Sequence, residues 1–390
     1  MKFKLSSLTT PRIINIFRTI IVIPGALLFR ILKPNIWIIS ERYDQARDNG
    51  FIFYKYLKEQ QKDQVIYYII DRNSADARKI EHYGTLIQYN SWKHYFFYFI
   101  SKVHISAHVG GCSPKDNPFA GYIRKYFGIK NVFLPHGVSY GISDFCLAKY
   151  GNIDLFITSG KPEYDNILKY YGYSNNQVAY TGFPRLDEWH HIQVKPYQIV
   201  LMPTWRLYLA QNSETVFEDT AYYKAYQNLI NNSILCDYLL ENNLHLVFYL
   251  HHNMRKYVNS FHTECSNIYI AYRDEDYDIQ ELLKESALLI TDYSSVHFDF
   301  AYMGKPVLYY QFDREEFWEK QYKQSDFDAV ENGFGPVAYD QTELINNLKQ
   351  AYKDGFRLKD SYLHNMEKFY VLHDTDNCKR VYDAIIGHFK

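Results

Sequence analysis

The stretch Leu288–Phe300, LLITDYSSVHFDF, joins a short apolar run to a helical pattern through a turn that carries two serines. The apolar run ends near Thr291, and Ser294 and Ser295 then open a helix that contains Asp299. A strand that passes directly into a helix is typical of α/β folds. Because serine is a preferred residue at helix N-termini, capping alone explains one of the two serines.

The same alternation of short apolar runs and amphipathic runs continues through the chain after residue 35, and it predicts parallel sheets covered by helices on both faces. In the first half, strands are predicted at Ile36–Ile39, Val65–Ile70, Thr85–Tyr89, Val103–His108, Asn131–Leu134, Asp154–Thr158 and Val178–Tyr180. In the second half, they are predicted at Gln198–Met202, Leu244–Leu250, Ile268–Ala271, Leu288–Thr291 and Pro306–Gln311. Helices are predicted at Ala46–Gln60, Ser91–Ile100, Pro162–Tyr171, Ala221–Asn232, Ile279–Glu285, Ser295–Met303 and Thr342–Tyr352.

The polar stretch Glu188–Tyr197 contains Pro196 and has no hydrophobic period, so it is interpreted as a linker between two halves. We therefore predict one Rossmann-like domain over residues 36–190 and a second over 191–360. The last stretch, 361–390, predicts a C-terminal helix over Ser361–Phe389 that packs back on the first domain. No GxGxxG follows a predicted strand, which argues against an NAD-dependent enzyme.

Cysteine usage and charge exclude several classes of protein. The five cysteines are scattered and form no CxxC pair, which argues against a disulfide framework or a thiolate zinc site and favours a reduced, cytosolic setting. The first 35 residues contain no acid and six basic residues, so the rest of the chain carries a net charge of −7 within a total of −1. A folded region that is acidic argues against a nucleic-acid-binding protein.

The segment Pro11–Trp37 is apolar with interleaved basic residues. Its longest uncharged run, Thr19–Phe29, has 11 residues and is short of the roughly 20 that span a bilayer. Arg18 and Arg30 bracket this run, and no convincing cleavage site follows it, which disfavours a signal peptide. The pattern favours a helix lying in an anionic membrane interface on the cytoplasmic side. The alternative is a helix packed on the protein's own surface.

Residues with charged, titratable or hydroxyl side chains follow several predicted strands, at the edge where open parallel sheets bind ligands. In the first half, His136 and Gly137 follow the strand that ends at Leu134, and a neutral imidazole there can accept a proton from a hydroxyl. Arg185 lies in a Gly/Pro-containing turn beside the same edge. The alternatives are a loop histidine with a local hydrogen bond and a surface arginine in an ion pair.

In the second half, three strand ends carry polar groups that can hold an anion. Pro203, Thr204 and Arg206 follow the first of them, and Leu250 is followed by the adjacent pair His251 and His252. Adjacent histidines point in different directions, so one is expected in the cleft and one outside it, in a spacing that does not suit a metal.

The third strand end is the serine turn of the opening stretch. Ser294 and Ser295 at a helix start predict a phosphate cradle. Asp299 is placed to accept a hydrogen bond from a polyol hydroxyl or, alternatively, to pair with Lys305. The acidic triplet Asp274–Asp276 resembles a divalent-metal motif but is interpreted as charge ahead of a helix start, so no metal is predicted.

The motifs LPHG, GFPR, PTWR, LHH and ITDYSS…FD, in this order, resemble the CDP-glycerol glycerophosphotransferase family of teichoic acid and capsule synthesis, from about Ile36 to the C-terminal helix. The resemblance implies a glycosyltransferase-B-like fold, with two Rossmann-like domains facing a central cleft, and a membrane-associating segment over residues 1–35. It implies that the first domain, 36–190, binds the acceptor and that the second, 191–360, binds the CDP-linked donor. It implies that His136 is the acceptor-side catalytic histidine and His251 a second essential histidine near the phosphates. The donor-binding residues predicted from these motifs are Gly137, Arg185, Pro203, Thr204, Arg206, Leu250, Ser294, Ser295 and Asp299.

Two departures from the family pattern leave the acceptor and the polyol open. Val138-Ser139-Tyr140 replaces the usual Thr-Pro and Lys after the HG pair, and His252 replaces the usual proline after His251. The expected reaction is transfer of glycerol phosphate from CDP-glycerol to a hydroxyl of a lipid-linked polymer at the membrane, with release of CMP and without a metal or cofactor. The alternatives are a CDP-ribitol or other CDP-polyol donor, a nucleotide-sugar glycosyltransferase, and a non-catalytic membrane scaffold. Homo-oligomerisation is left open.

Overall fold

The structure, a computed structural model, describes residues 9–32, 35–110, 112–115, 117, 119–271 and 277–389. The strands of its first sheet are β1 (Ile36–Ser40), β2 (Val65–Ile70), β3 (Leu86–Gln88), β4 (Val103–Ser106), β5 (Lys130–Phe133), β6 (Leu155–Thr158) and β7 (Val178–Tyr180). The strands of its second sheet are β8 (Lys195–Leu201), β9 (His245–Phe248), β10 (Ile268–Ile270), β11 (Ser286–Thr291), β12 (Val307–Tyr310) and β13 (Val337–Ala338).

Both sheets are parallel and have the same topology. The strand orders are β3-β2-β1-β4-β5-β6-β7 and β10-β9-β8-β11-β12-β13. Successive strands are added first towards one edge of the sheet and then towards the other, so the topological switch points lie between β1 and β4 and between β8 and β11. Helices cover both faces, which is why central strands such as β11 are buried along their whole length and are almost continuously apolar. The fold is the expected α/β fold with two Rossmann-like sheets.

The helices of the first half are α1 (Thr10–Arg30), α2 (Asn49–Gln60), α3 (Ala77–Tyr83), α4 (Trp92–Ile100), α5 (Ala120–Tyr126) and α6 (Lys161–Tyr170). Those that follow are α7 (Glu214–Glu218), α8 (Ala221–Ile230), α9 (Ser233–Glu241), α10 (Ile279–Glu285), α11 (Val296–Tyr302), α12 (Arg314–Lys320), α13 (Ala329–Asn332), α14 (Gln341–Lys353), α15 (Asp360–Phe369) and α16 (Asn377–His388). Strand β8 begins inside the stretch that was interpreted as the linker, because Lys195 already pairs with Ser286.

The C-terminal stretch forms two helices, α15 and α16, where the sequence predicts one. The start of α16 is fixed by Asp187, whose carboxylate accepts hydrogen bonds from the backbone N–H groups of Asn377 and Cys378, both at 2.9 Å. Gly182 makes room for this contact, because a Cβ on it would lie 1.7 Å from Asn377 Oδ1. Helix α16 then packs against α2 and β6 of the first sheet.

Helix α1 packs along α4 through one face and leaves the other face exposed. Two of its three arginines bond to the body of the protein: Arg18 Nη1 donates to the carbonyl of Asn90 at 3.0 Å, and Arg30 Nη2 donates to that of Phe127 at 2.6 Å. The exposed face is apolar and consists of Ile13, Ile14, Phe17, Ile20, Ile21, Leu27 and Leu28. Although its uncharged run alone is shorter than a bilayer span, the whole helix of 21 residues is, by length and composition, long and apolar enough to cross a membrane, with a mean hydropathy of 1.7 over its apolar part.

Candidate active site

Loops from the two sheets meet at the carboxyl ends of their strands, around Gly137 and Ser295. A Cβ added to Gly137 would lie 2.5 Å from Ser295 Oγ, so only glycine allows this approach. The Tyr140 hydroxyl donates to the Tyr293 carbonyl nearby and joins the same two loops. We call the space bounded by His136, Gly137, Thr204, His251, Ser294 and Ser295 the central cleft.

The loop that carries His136 is held by its backbone, which leaves the imidazole open to solvent. Arg185 Nη1 donates to the His136 carbonyl at 2.9 Å, and Asn49 Nδ2 donates to the Pro135 carbonyl at 2.7 Å. On the far side, Glu163 accepts from the backbone N–H of Ser139 at 2.6 Å. The loop is therefore fixed on both sides of a side chain that is free to meet a substrate.

Although the His136 imidazole reaches solvent, the protein atoms around it desolvate the charged form and lower its pKa. The positive charges of Arg185 and Arg42 lower this pKa further, whereas Asp48 opposes them. The imidazole is therefore neutral at physiological pH, which is the form that accepts a proton.

His251 is oriented by two contacts. Its ring stacks on the indole of Trp205 with centroids 5.8 Å apart and an interplanar angle of 14°, and its Nδ1 accepts from the backbone N–H of Asn253 at 3.2 Å. Desolvation lowers the pKa of His251 to about 3, with further repulsion from His136 and His252. An acceptor Nδ1 on a neutral ring places the proton on Nε2, so His251 is a hydrogen-bond donor.

His252 points away from the stacked pair and is exposed. Its Nε2 lies 3.0 Å from Arg42 Nη2, which belongs to the loop after β1, so this contact connects the two halves. Since arginine only donates, His252 Nε2 is the acceptor. The two adjacent histidines therefore have different environments, as their alternation predicts.

The two loops that follow β8 and β11 are tied together by a buried carboxylate, Asp292. Its Oδ1 accepts from the backbone N–H of Thr204 at 2.7 Å, and its Oδ2 accepts from Arg206 Nη2 at 2.8 Å. Arg206 is fully buried and is also held by Asp313 at 2.8 Å. This corrects the expectation that Arg206 contacts the donor: the guanidinium is saturated by carboxylates beneath the cleft and positions the loops.

Several hydroxyls remain available at the cleft. Thr204 Oγ1 is buried without a hydrogen-bond partner, although the Thr204 backbone is firmly held. Ser295 occupies the N-cap position of α11 but makes no side-chain cap hydrogen bond, so the capping interpretation of this serine is wrong. Ser294 and Ser295 are both partly exposed, next to Gly137. These three side chains can donate hydrogen bonds to an anion.

Arg185 and Asp299 form an ion pair that crosses between the two halves. Arg185 Nη2 donates to Asp299 Oδ1 at 2.7 Å, and its Nη1 donates to Asp48 Oδ1 at 2.8 Å. Burial raises the pKa of Asp299 to about 6, against the opposing effect of Arg185. The alternative pairing of Asp299 with Lys305 is wrong, because Lys305 Nζ donates to backbone carbonyls such as that of Ser286 at 2.8 Å.

Five predicted donor-binding residues therefore lie beneath the cleft surface. Leu250 and Arg206 are fully buried, Arg185 is 2% exposed and Asp299 is 5% exposed. Pro203 is buried as well. We reassign Arg206 to positioning of the loops, because its guanidinium is paired with two buried carboxylates. Arg185 and Asp299 pair with each other across the two halves, but Arg185 Nε is buried without a hydrogen-bond partner, and their donor-binding role stays a prediction.

Asp48, Glu163 and Asp292 position these loops and were missed by the sequence reasoning, since a carboxylate that bonds to backbone N–H groups leaves no periodic signal. No group of three His, Cys, Asp or Glu side chains in the described part of the chain could hold a metal ion. The acidic triplet Asp274–Asp276 lies outside the described residues.

Comparison with solved structures shows a shared fold. The structure of the wall teichoic acid polymerase TagF aligns over 98% of both chains with a TM-score of 0.67 at 16% identity. The UDP-GlcNAc 2-epimerase of Neisseria meningitidis aligns over 90% of this chain and 99% of that one with a TM-score of 0.53 at 11% identity. These likenesses bear out the two-sheet architecture of the glycosyltransferase-B type.

Sequence relatives come from teichoic acid synthesis. The chain is 32% identical over 368 residues to the minor teichoic acid biosynthesis protein GgaB of Bacillus subtilis. This alignment covers 91% of this chain and 40% of that protein. It is 25% identical over 286 residues to the teichoic acid poly(ribitol-phosphate) polymerase of Bacillus spizizenii, covering 71% of this chain and 39% of that one. The chain thus spans about two fifths of the length of these two relatives.

The family model described as CDP-glycerol:poly(glycerophosphate) glycerophosphotransferase matches residues 26–387, which include both sheets and every residue of the cleft. The chain belongs to this family.

Proposed function

We propose that the protein transfers glycerol phosphate from CDP-glycerol to a hydroxyl of a teichoic acid or capsular polymer acceptor and releases CMP. The observation that carries the proposal is the placement of His136 and His251, a neutral base and a neutral donor from opposite sheets, at one cleft. Membership of the family supports the choice of donor.

The reaction is a displacement at phosphorus. The acceptor oxygen attacks the β-phosphorus of CDP-glycerol, and the bond from this phosphorus to the oxygen of CMP breaks. His136 takes the proton of the attacking hydroxyl, and CMP leaves with the bonding electron pair. Because the leaving group and the transferred group are both anionic, most of the work is positioning and stabilisation of negative charge.

The donor phosphates are assigned to the side of the cleft formed by the second sheet. His251 Nε2–H, the unpartnered Thr204 hydroxyl and the hydroxyls of Ser294 and Ser295 supply hydrogen bonds to the pyrophosphate. These groups follow β8, β9 and β11, around the point where the strand order of the second sheet reverses. In this scheme, the chain itself supplies the donors and no metal is required.

Helix α1 is proposed to attach the protein peripherally to the cytoplasmic face of the membrane. Its apolar face is exposed to solvent, and its opposite face is bonded to the first domain through Arg18 and Arg30. A helix docked laterally in this way suits insertion of one face into the lipid interface. Attachment there places the cleft close to a lipid-linked acceptor.

The donor is tested by offering the purified protein CDP-glycerol, CDP-ribitol and nucleotide-sugars with acceptor-bearing membranes, and identifying the released nucleotide. We expect CMP from CDP-glycerol. A nucleotide-sugar glycosyltransferase releases the nucleoside diphosphate, and that result would overturn the proposal. Faster release of CMP from CDP-ribitol would replace the polyol but not the reaction, and absence of release from every donor would favour a scaffold.

A further inference from the structure

The first sheet has its own ligand-binding position, equivalent to the donor side of the second sheet. The strand order reverses between β1 and β4 in the first sheet and between β8 and β11 in the second. Ligands of open parallel sheets bind at such reversals, outside the carboxyl ends of the strands. Arg42 follows β1 and His108 follows β4, just as Thr204 and Ser294 follow β8 and β11.

A cavity of about 220 Å³ lies at this position. The cavity has a cationic side and an aromatic side, and its lining includes Ser40, Arg42, Tyr43, Tyr89, His108 and Ser113. The rings of Tyr43 and Tyr89 are stacked, with centroids 5.5 Å apart and an interplanar angle of 27°. Stacked aromatic rings offer a flat apolar surface to the carbon skeleton of a ligand.

The cationic side of the cavity is not neutralised by the surrounding protein. Arg42 forms no ion pair with a carboxylate in the described part of the chain, and its partner His252 is an uncharged acceptor. Glu41 also lines the cavity, but its carboxylate accepts from the backbone N–H groups of Arg47 and Phe51 at the start of α2, at 2.9 and 2.7 Å, and burial raises its pKa to about 8. The cavity therefore offers a guanidinium to an anion.

The cavity opens beside the proposed base. Arg42 lowers the pKa values of both His108 and His136, and His136 lowers that of His108, so the three side chains lie within electrostatic reach of one another. An anionic group that rests on Arg42 therefore lies within electrostatic reach of His136.

We propose that this cavity binds the terminal unit of the acceptor, a polyol phosphate or sugar phosphate, through contacts of Arg42 and His108 with its phosphate. Tyr43 and Tyr89 pack against its carbon skeleton. The inference rests on the proposed function and makes the acceptor a phosphorylated unit rather than a neutral sugar. Arginine suits this task because its planar fork matches phosphate geometry.

The test uses sn-glycerol 3-phosphate and glycerol as matched inhibitors of CMP release from CDP-glycerol and acceptor-bearing membranes. We expect glycerol 3-phosphate to inhibit at a concentration at least 10-fold lower than glycerol, because hydrogen bonds to a charged phosphate are stronger than those to a neutral hydroxyl. The inhibition should be competitive with the acceptor. Equal inhibition by the two probes, no inhibition, or competition with CDP-glycerol alone would overturn the inference.

Variants distinguish the effect of the Arg42 charge from the effect of the contact between Arg42 and His252. Arg42→Ala and His108→Ala should reduce the preference for glycerol 3-phosphate at least 5-fold, and Arg42→Lys should retain part of it. His252→Ala breaks the same contact of Arg42 without removing the charge and should keep the preference. If His252→Ala loses the preference as fully as Arg42→Ala, or if Arg42→Ala and His108→Ala both keep it, the inference is wrong. Should Arg42→Ala fail to fold, His108→Ala and Arg42→Lys still decide.

The proposed function and this inference fail in different ways. Absence of CMP release by the unmodified protein with membranes overturns the proposed function and, with it, the inference. Release of CMP together with equal inhibition by glycerol and glycerol 3-phosphate overturns the inference alone.

Discussion

His136 and His251 are both neutral, but their side chains are restrained in different ways. The backbone of the His136 loop carries the restraints, through Arg185 and Glu163, so the imidazole is free to exchange a proton. The ring of His251 is itself restrained, by Trp205 and by the N–H of Asn253, and presents a fixed N–H. In the proposed reaction, the exposed imidazole of His136 suits a base that meets the acceptor, and the oriented N–H of His251 suits a donor that holds the pyrophosphate.

The lowered pKa of His136 predicts how activity depends on pH. A base with a lowered pKa stays unprotonated as pH falls through the ordinary histidine range, and its activity is lost only when pH falls through the lowered pKa. We expect the acidic limb of the kcat/KM profile to lie below about pH 6.5. A profile measured from pH 5 to 9 with saturating donor checks this, and an acidic limb above pH 7 would contradict the assignment.

Arg206 lies in a motif predicted to bind the donor, but its buried ion pairs predict that it contributes to the free energy of unfolding. Arg206→Met leaves Asp292 and Asp313 buried without their cation, which is expected to destabilise the fold by about 3–5 kcal/mol. Urea unfolding measures the loss. Lys169→Met, which removes an exposed ion pair with Asp326, is the matched control and should change the midpoint little. An Arg206→Met midpoint equal to that of the control would contradict the positioning role.

At the scale of elements, α1 has features of both structures that the sequence offers as alternatives, a helix at a membrane interface and a helix packed on the protein's own surface. The helix is packed on the protein's own surface, and it also exposes an apolar face. Periodicity shows that one face is apolar but not that Arg18 and Arg30 reach backbone carbonyls of the body, because those partners are distant in sequence. Truncation of the helix would therefore uncover α4, and point substitutions test membrane attachment more cleanly.

Acidic substitutions on the exposed apolar face of α1 are expected to release the protein from lipid. Phe17→Glu combined with Ile20→Glu should abolish co-sedimentation with anionic vesicles, because these side chains are 59% and 61% exposed. Ile234→Glu, on α9 and 57% exposed, is the control and should leave vesicle binding as it is. Vesicle binding that survives the double substitution, with the melting temperature unchanged, would contradict attachment through this face.

Other elements show where sequence reasoning succeeds and where it stops. Long apolar runs such as Val65–Ile70 predict their strands because burial on both faces demands them. The two residues of β13 are too few to produce a pattern, and the break between α15 and α16 arises from Asp187, about 190 residues away. Two of the motifs supply Gly137 and Ser295, which the structure brings together, but the pairing of Arg185 and Arg206 with distant carboxylates is a tertiary property.

For the whole molecule, the two sheets are joined at several points around the cleft. Arg185 binds Asp48 on one side and Asp299 on the other, and the Ile142 N–H donates to the Lys323 carbonyl at 2.9 Å. With the two halves held in this way, acceptor and donor can be presented to each other by the protein alone. This arrangement underlies the prediction that transfer needs no metal.

Chelation tests that prediction. Activity of the purified protein with CDP-glycerol is expected to persist within about 2-fold after treatment with EDTA, because the donors to the pyrophosphate in our scheme are side chains. Magnesium added back is the control for non-specific effects of the chelator. Loss of activity that divalent metal restores would contradict the metal-free scheme and direct attention to other ligands in the chain.

The central claim is that phosphoryl transfer occurs between His136 and His251, and single-turnover analysis of CDP-glycerol with acceptor-bearing membranes tests it most directly. We predict that CMP and a new phosphodiester form in equal amounts, and that His136→Ala and His251→Ala each slow this step by about 10² or more. His252→Ala should be much milder. Full activity in His136→Ala and His251→Ala, or loss only in His252→Ala, would contradict the account.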